Sequence, residues 1–358
     1  MTHLLSRRSE YRELVLFSIL ALCWGSSFVA IEVGLEYVPP LLFAGFRYLV
    51  AGAIVFAYAV VATDRIRPRT RGEWLIVSIA GVFVIGLYHG LLYLGELYVS
   101  GAVAATVVST APILTVVFAS LLLPNQRING LSVIGFVLGL VGVILVVRPS
   151  PASLHGDMTY GAILVLGAAI TFALGSVLVR PIESALPIET LQAWAMLIGA
   201  GVLFAWAGVR GESMAGVELT TTALLSYAYL TIISGVFAFL LYFELLEQSG
   251  PTQVNLVGYA EPAVAIVVSW LVLGSIVDSI TIVGLLTILV GFLVIKRNAI
   301  RSALVSARSG KPNRGLPETH VETTAKTRVE ASTETHAKAR TDGGVIPESD
   351  SSELPNER

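Results

Sequence analysis

The chain has 358 residues, of which 55% are hydrophobic and 13% charged, with a formal net charge of -2. Soluble domains carry about 25% charged residues, so this composition excludes an ordinary soluble globule, and the near-neutral balance leaves no electrostatic footprint for nucleic acid. One cysteine, Cys23, excludes an intrachain disulfide and a thiolate metal cluster. Ten apolar runs separated by short polar breaks predict ten membrane-spanning helices, at 14–35, 41–62, 74–95, 101–123, 130–147, 159–179, 188–209, 220–242, 252–273 and 279–295. A hydrocarbon layer about 30 Å thick needs roughly 20 helical residues to cross it. The first run is too long for a secretory leader and a second follows at once, so it is read as a retained helix.

The breaks carry helix punctuation: Pro39-Pro40, Pro68, Pro124-Asn125, Pro149-Ser150-Pro151, Pro187 and Gly250-Pro251. With a cytoplasmic N-terminus, Arg7, Arg8, Arg12, Arg65, Arg67, Arg69, Arg71, Arg127, Arg180, Lys296, Arg297 and Arg301 fall inside, against Arg148 and Arg210 outside. That bias predicts both termini in the cytoplasm. From 298 onward, Ser, Thr, Glu, Arg and Ala dominate, a composition that predicts a disordered cytoplasmic tail. The expected organisation is therefore a short N-terminal segment at 1–13, two five-helix units at 14–148 and 159–297, and a tail at 298–358.

The second set of runs echoes the first. Pro39 and Pro187 each precede a span at an offset of 148 residues, and Pro112 and Pro262 match at an offset of 150. Five is odd, so two such units in one chain would insert upside down relative to each other, a common plan of secondary transporters.

Ionisable residues inside spans are costly, roughly 2.5–3.5 kcal/mol each at the centre of an inserted helix. Arg47 in the second run and Glu32 in the first are expected at similar depth, where they either pair with each other or serve gating and solute binding; arginine suits carboxylate or phosphate. The counterpart of Arg47 at the offset of 148 is Ala195. Trp24, Phe28 and Glu32 share one helical face, which either lines a cavity or packs between helices. In the third run, Tyr88 and Tyr93 are candidates for solute contact, and His89 either exchanges a proton or holds a neighbouring helix through a hydrogen bond. Glu96, at the outer end of that run, is expected to be solvated. Glu261, beside Pro262 in the ninth run, is the first candidate for proton coupling, with Asn255 and Tyr259 as a further polar face. Gly135-x-x-x-Gly139 and Gly86-x-x-x-Gly90 allow close helix approach, either within the chain or in a homodimer through the fifth or tenth helix. The chain contains no P-loop, His-Glu-x-x-His or Gly-x-Ser-x-Gly motif, which disfavours an enzyme. No cofactor is expected.

Three segments together resemble the EamA group of the drug/metabolite transporter superfamily: Trp24-Gly25-Ser26-Ser27-Phe28-Val29-Ala30-Ile31 followed by Pro39-Pro40 and Phe46-Arg47-Tyr48; Glu261-Pro262-Ala263-Val264-Ala265; and the glycine-rich runs from Gly135 and Gly284. The resemblance covers about 14–297. It departs at Glu32, where the family often has lysine, and at Leu123-Pro124-Asn125 and Leu273-Gly274-Ser275, where a family Leu-Gly-Glu lacks its glutamate. What the resemblance implies is an all-α, ten-helix carrier of a small organic solute (a metabolite, amino acid or drug-like compound) in the plasma membrane, in many members an exporter, working by alternating access. A non-transporting sensor or a lipid-handling membrane protein is the alternative.

Overall fold

The computed structural model describes residues 2–124, 130–147, 156–215, 217, 219–254 and 257–309. The chain divides into two compact units, 1–297 and 298–358. Among the described residues all regular structure is helical. The helices are α1 (Thr2–Leu35), α2 (Pro40–Ala62), α3 (Arg71–Ile79), a π segment (Ala80–Leu87), α4 (Tyr88–Glu96), α5 (Gly101–Val108), α6 (Ala111–Leu122) and α7 (Gly130–Val147). They continue as α8 (Asp157–Leu178), α9 (Ile188–Arg210), α10 (Thr221–Ala228), a second π segment (Tyr229–Phe237), α11 (Ala238–Val254), α12 (Val257–Leu273) and α13 (Ser279–Ser309).

Among the described residues, seven helical stretches are long and apolar enough to cross a membrane: 12–35, 40–62, 71–96, 101–122, 157–178, 188–210 and 221–246. Three shorter apolar helices lie at 133–147, 257–273 and 279–295. Many large apolar side chains point outward, such as Leu121, Leu225 and Leu271. Water would penalise that surface and acyl chains would not.

The same local signals start corresponding helices in the two halves. Pro39 and Pro187 are the N-caps of α2 and α9; proline suits a position whose N–H would have no helical partner. Thr70 and Thr220 cap α3 and α10, each accepting a hydrogen bond from the amide three residues on. Glu73 completes a capping box with Thr70. Each third span then passes through a π segment at its middle, which the sequence pattern did not predict.

The halves interlock through their backbones. A methyl group on Gly45 would meet Phe204 and one on Gly52 would meet Met196, so α2 and α9 run antiparallel. Gly135 lies against Gly291 and Gly142 against Gly284, so α7 and α13 also run antiparallel. The glycines of the fifth and tenth runs are thus used within the chain, as are Gly86 against Val202 and Gly90 against Trp206. Aromatic contacts cross in the same reciprocal sense. Trp24 of α1 packs on Phe239 and Tyr242 of α11, while Phe172 of α8 packs on Tyr88 of α4.

Three boundaries differ from the sequence expectation. The fourth run is broken at Ser109 and Thr110, whose hydroxyls donate to the carbonyls of Thr106 (2.6 Å) and Val107 (2.7 Å) just before Pro112. Helix α11 continues to Val254, past the predicted break at Gly250-Pro251. Helix α13 runs to Ser309, into the segment expected to be a disordered tail; residues 310–358 lie outside the described residues.

Candidate functional site

The chemistry of the described residues concentrates around Arg47 on α2, which is 3% exposed. Its Nε donates to the carbonyl of Leu230 at 3.0 Å, Nη1 donates to the Tyr93 hydroxyl at 2.9 Å, and Nη2 donates to Ser234 Oγ at 3.1 Å. The guanidinium also lies over the Tyr48 ring, 4.9 Å from its centre. Every one of these partners is neutral. Leu230 and Ser234 belong to the second π segment, whose wider turn displaces carbonyls from the regular helical ladder, and such turns are frequent at functional sites. The Ser234 carbonyl accepts a hydrogen bond from Trp24 Nε1 at 3.3 Å, which ties α1 to the same point.

A second polar group adjoins the first. His89 Nδ1 lies 3.0 Å from the Ile85 carbonyl. A carbonyl only accepts, so Nδ1 carries the hydrogen and Nε2 is the acceptor for the Tyr48 hydroxyl. Tyr88 stands edge-on to His89 with ring centres 4.4 Å apart. Glu261 on α12 lies within electrostatic reach of Tyr88. On the other side, Tyr229 and Ser26 share a hydrogen bond of 2.6 Å.

The expected residues therefore separate into groups. Trp24, Arg47, Tyr88, His89 and Tyr93 come together, and the charge of Glu261 acts on Tyr88. Phe28 is buried in the main core, where its backbone carbonyl sits against Gly101. Tyr259 is elsewhere, stacked on Phe292 of α13 with ring centres 3.8 Å apart. Asn255 lies outside the described residues.

Two expectations are corrected. Glu32 does not pair with Arg47; its Oε2 accepts from the Gly101 amide at 2.8 Å, at the start of α5. Gly101 has no side chain to hold α1 away, so the exposed amides at that helix start meet the carboxylate first, a favourable placement of negative charge. Glu96 is not solvated but 5% exposed. The start of α8 closes over the last turn of α4, with Gly95 against Gly161 and Val165. Sequence reasoning also missed Ser234 as a partner of Arg47. No periodicity links residues so far apart; only the π segment flags the place.

Away from this cluster, loops clamp the ends of the α2–α9 pair. At one end Arg65 Nη2 meets both carboxylate oxygens of Glu73 (2.7 and 2.8 Å), Thr190 Oγ1 donates to the Arg65 carbonyl (2.6 Å), and Trp194 Nε1 donates to the Ile66 carbonyl (3.0 Å). At the other end Glu212 Oε2 accepts from the amides of Leu41 and Leu42, both at 3.0 Å.

Among the described residues, helices alone, many of them apolar and with the corresponding helices antiparallel around a buried polar cluster, define a multi-pass membrane protein. The chain belongs to the EamA-like transporter family, which it matches over residues 12–148 and 159–297. It is 28% identical over 280 residues to the uncharacterized inner membrane transporter YedA of Escherichia coli (strain K12), covering 74% of this chain and 88% of that one. It is 28% identical over 298 residues to the uncharacterized transporter YvbV of Bacillus subtilis (strain 168), covering 82% and 95%. An uncharacterized transporter of Archaeoglobus fulgidus is 26% identical over 283 residues, covering 79% and 98%. One solved crystal structure, 21% identical, superposes with a TM-score of 0.55 over 79% of this chain and 96% of that one, a likeness of fold.

Proposed function

We propose that this protein is a secondary transporter that carries a small organic solute with an anionic group across the plasma membrane by alternating access. Ten spans form two inverted five-helix repeats, with both termini in the cytoplasm. The seven long and three shorter apolar helices support the span count, and the antiparallel pairing of α2 with α9 and of α7 with α13 supports the inversion.

The observation that carries the reading is Arg47. A guanidinium this deeply buried ordinarily has an anion beside it, because an uncompensated charge is expensive away from water. Among the described residues Arg47 has no carboxylate within ion-pair distance, only Tyr93, Ser234 and the Leu230 carbonyl. A solute carboxylate or phosphate supplies the missing charge and takes two parallel hydrogen bonds from the guanidinium. Trp24, Tyr88 and His89 line the approach, and the rocking of one repeat against the other exposes the cluster to either side in turn.

The test is flux into proteoliposomes from a panel of amino acids, organic acids, nucleotide-like metabolites and organic cations, with and without a pH gradient. Arg47→Ala is expected to lower uptake of the preferred anionic solute by at least about a hundredfold, equivalent to about 2.7 kcal/mol. Wild-type rates in that variant would remove Arg47 from the solute path.

A further inference from the structure

We propose that Glu96 is a proton-binding site, and that its neutralisation is what leaves the Arg47 charge free for an anionic solute. The inference rests on the transport reading above. Glu96 closes α4 and is 5% exposed, and neither of its carboxylate oxygens has a hydrogen-bond partner. No donor meets an ionised carboxylate there; Glu32 opposes the charge and only the field of Arg47 favours it. A carboxylate that loses its water and gains no hydrogen bond carries its charge at a cost of several kcal/mol. A proton removes the charge.

The neighbours define what that proton controls. From α1 comes Glu32, with Glu36 one turn further on; from α2 comes Arg47. From its own span come Tyr93, one turn earlier, and Tyr88. Helix α8 packs over the site through Gly161 and Val165 and holds its titratable Asp157 and Tyr160 at its exposed start, and α5 contributes no titratable side chain. Glu32 is committed to the amide of Gly101, so it repels a second negative charge and offers no donor. Among the described residues Arg47 is the cation whose field reaches Glu96; its hydrogen-bond partner Tyr93 precedes Glu96 by three positions on the same helix.

An ionised Glu96 therefore competes with any solute anion for the Arg47 field, and a protonated Glu96 does not. Proton and anionic solute occupy the protein together and leave it together. Water reaching the end of the third span, where α4 hands over to α5, releases the proton. Nothing is oxidised or reduced in this cycle; one O–H bond forms on a Glu96 oxygen and the same bond breaks on release.

The test is infrared spectroscopy of the full-length protein in liposomes across a pH series. The wild type is expected to show the carbonyl absorption of a dry, protonated carboxylic acid that fades as pH rises. Glu96→Gln should lose that band and Glu96→Asp should shift it; the aspartate variant keeps the test open if the glutamine variant does not fold. A band that survives both variants, or disappears in Glu261→Gln instead, overturns the proposal. In the flux panel, uptake by Glu96→Gln should lose its pH dependence, and pH dependence that persists in that variant also overturns it. A wild type that moves no solute strikes the transport reading alone, because the carboxyl band still decides the proton site.

Discussion

Arg47 and Ala195 hold corresponding places in the second helix of the two halves, and both are buried, at 3% and 1% exposure. Around Arg47 three hydrogen-bond acceptors converge, whereas Ala195 sits where its carbonyl meets the space beside Gly81 of the first π segment. The backbone plan repeats between the halves: a proline-led second helix, a threonine-capped third span, a π segment in its middle. The charges do not repeat. On the proposed carrier mechanism, matching backbones serve the rocking of the two halves, whereas a solute with its own polarity needs an unsymmetrical lining. The two loop clamps show the same divergence. The loop after α2 holds α9 through Thr190 and Trp194, and the loop after α9 holds α2 through Glu212.

The comparison breaks most severely at Ala195. Ala195→Arg would place a second cation opposite the first, with tight helix packing and no prepared acceptors. A charge at such depth costs about 3 kcal/mol, and the variant is expected to lose most of its folded yield and to melt far below the wild type in a detergent thermal-shift assay. A wild-type melting temperature would show that the charge asymmetry is not a packing constraint. A smaller effect is expected at Gly199, where a methyl would lie 2.4 Å from Ile85 and 2.9 Å from the Gly81 carbonyl. Gly199→Ala should cost about 2 kcal/mol through overpacking, against little or no loss for Gly201→Ala two residues away, where a methyl meets nothing within 4 Å. Equal melting temperatures for the two would refute the close seam between α9 and the first π segment. The smallest effect belongs to Glu212→Gln, which keeps an acceptor for the amides of Leu41 and Leu42 and loses the interaction of charge with the helix start and a long ion pair with Arg210 (3.9 Å). That is worth at most about 1 kcal/mol, and a larger drop in melting temperature would mean the clamp carries more than a cap.

Much of this plan was legible in the sequence because it follows from short-range rules. Among the described residues, seven of the ten apolar runs are helices long enough to cross a membrane and three are shorter, Pro39 and Pro187 mark where α2 and α9 begin, and the cost of burying charge singles out Arg47 and Glu261. The misses share a physical origin. Glu96 sits where helical projection alone would place it near water, and the close glycine contact with α8 helps to cover it. Glu32 reads either as a partner of Arg47 or as a gating and solute-binding group, and the pairing loses to a helix start with free amides, because Arg47 has partners of its own. Tyr259 shares a helix with Glu261 yet turns to Phe292, a choice fixed by where α13 packs. Pro112 and Pro262 read alike, but Ser109 and Thr110 precede the first and turn their hydroxyls onto the preceding carbonyls, so the fourth span breaks and α12 does not.

The glycine contacts between α7 and α13 have a mechanical consequence. Gly135 against Gly291 and Gly142 against Gly284 put main chain directly on main chain. Ile288, Ile295, Val146 and Leu138 fill the space beside these contacts, so the seam has little room to absorb a change of angle. A seam this close fixes the spacing and the crossing of α7 and α13: either helix moves only if the other moves with it.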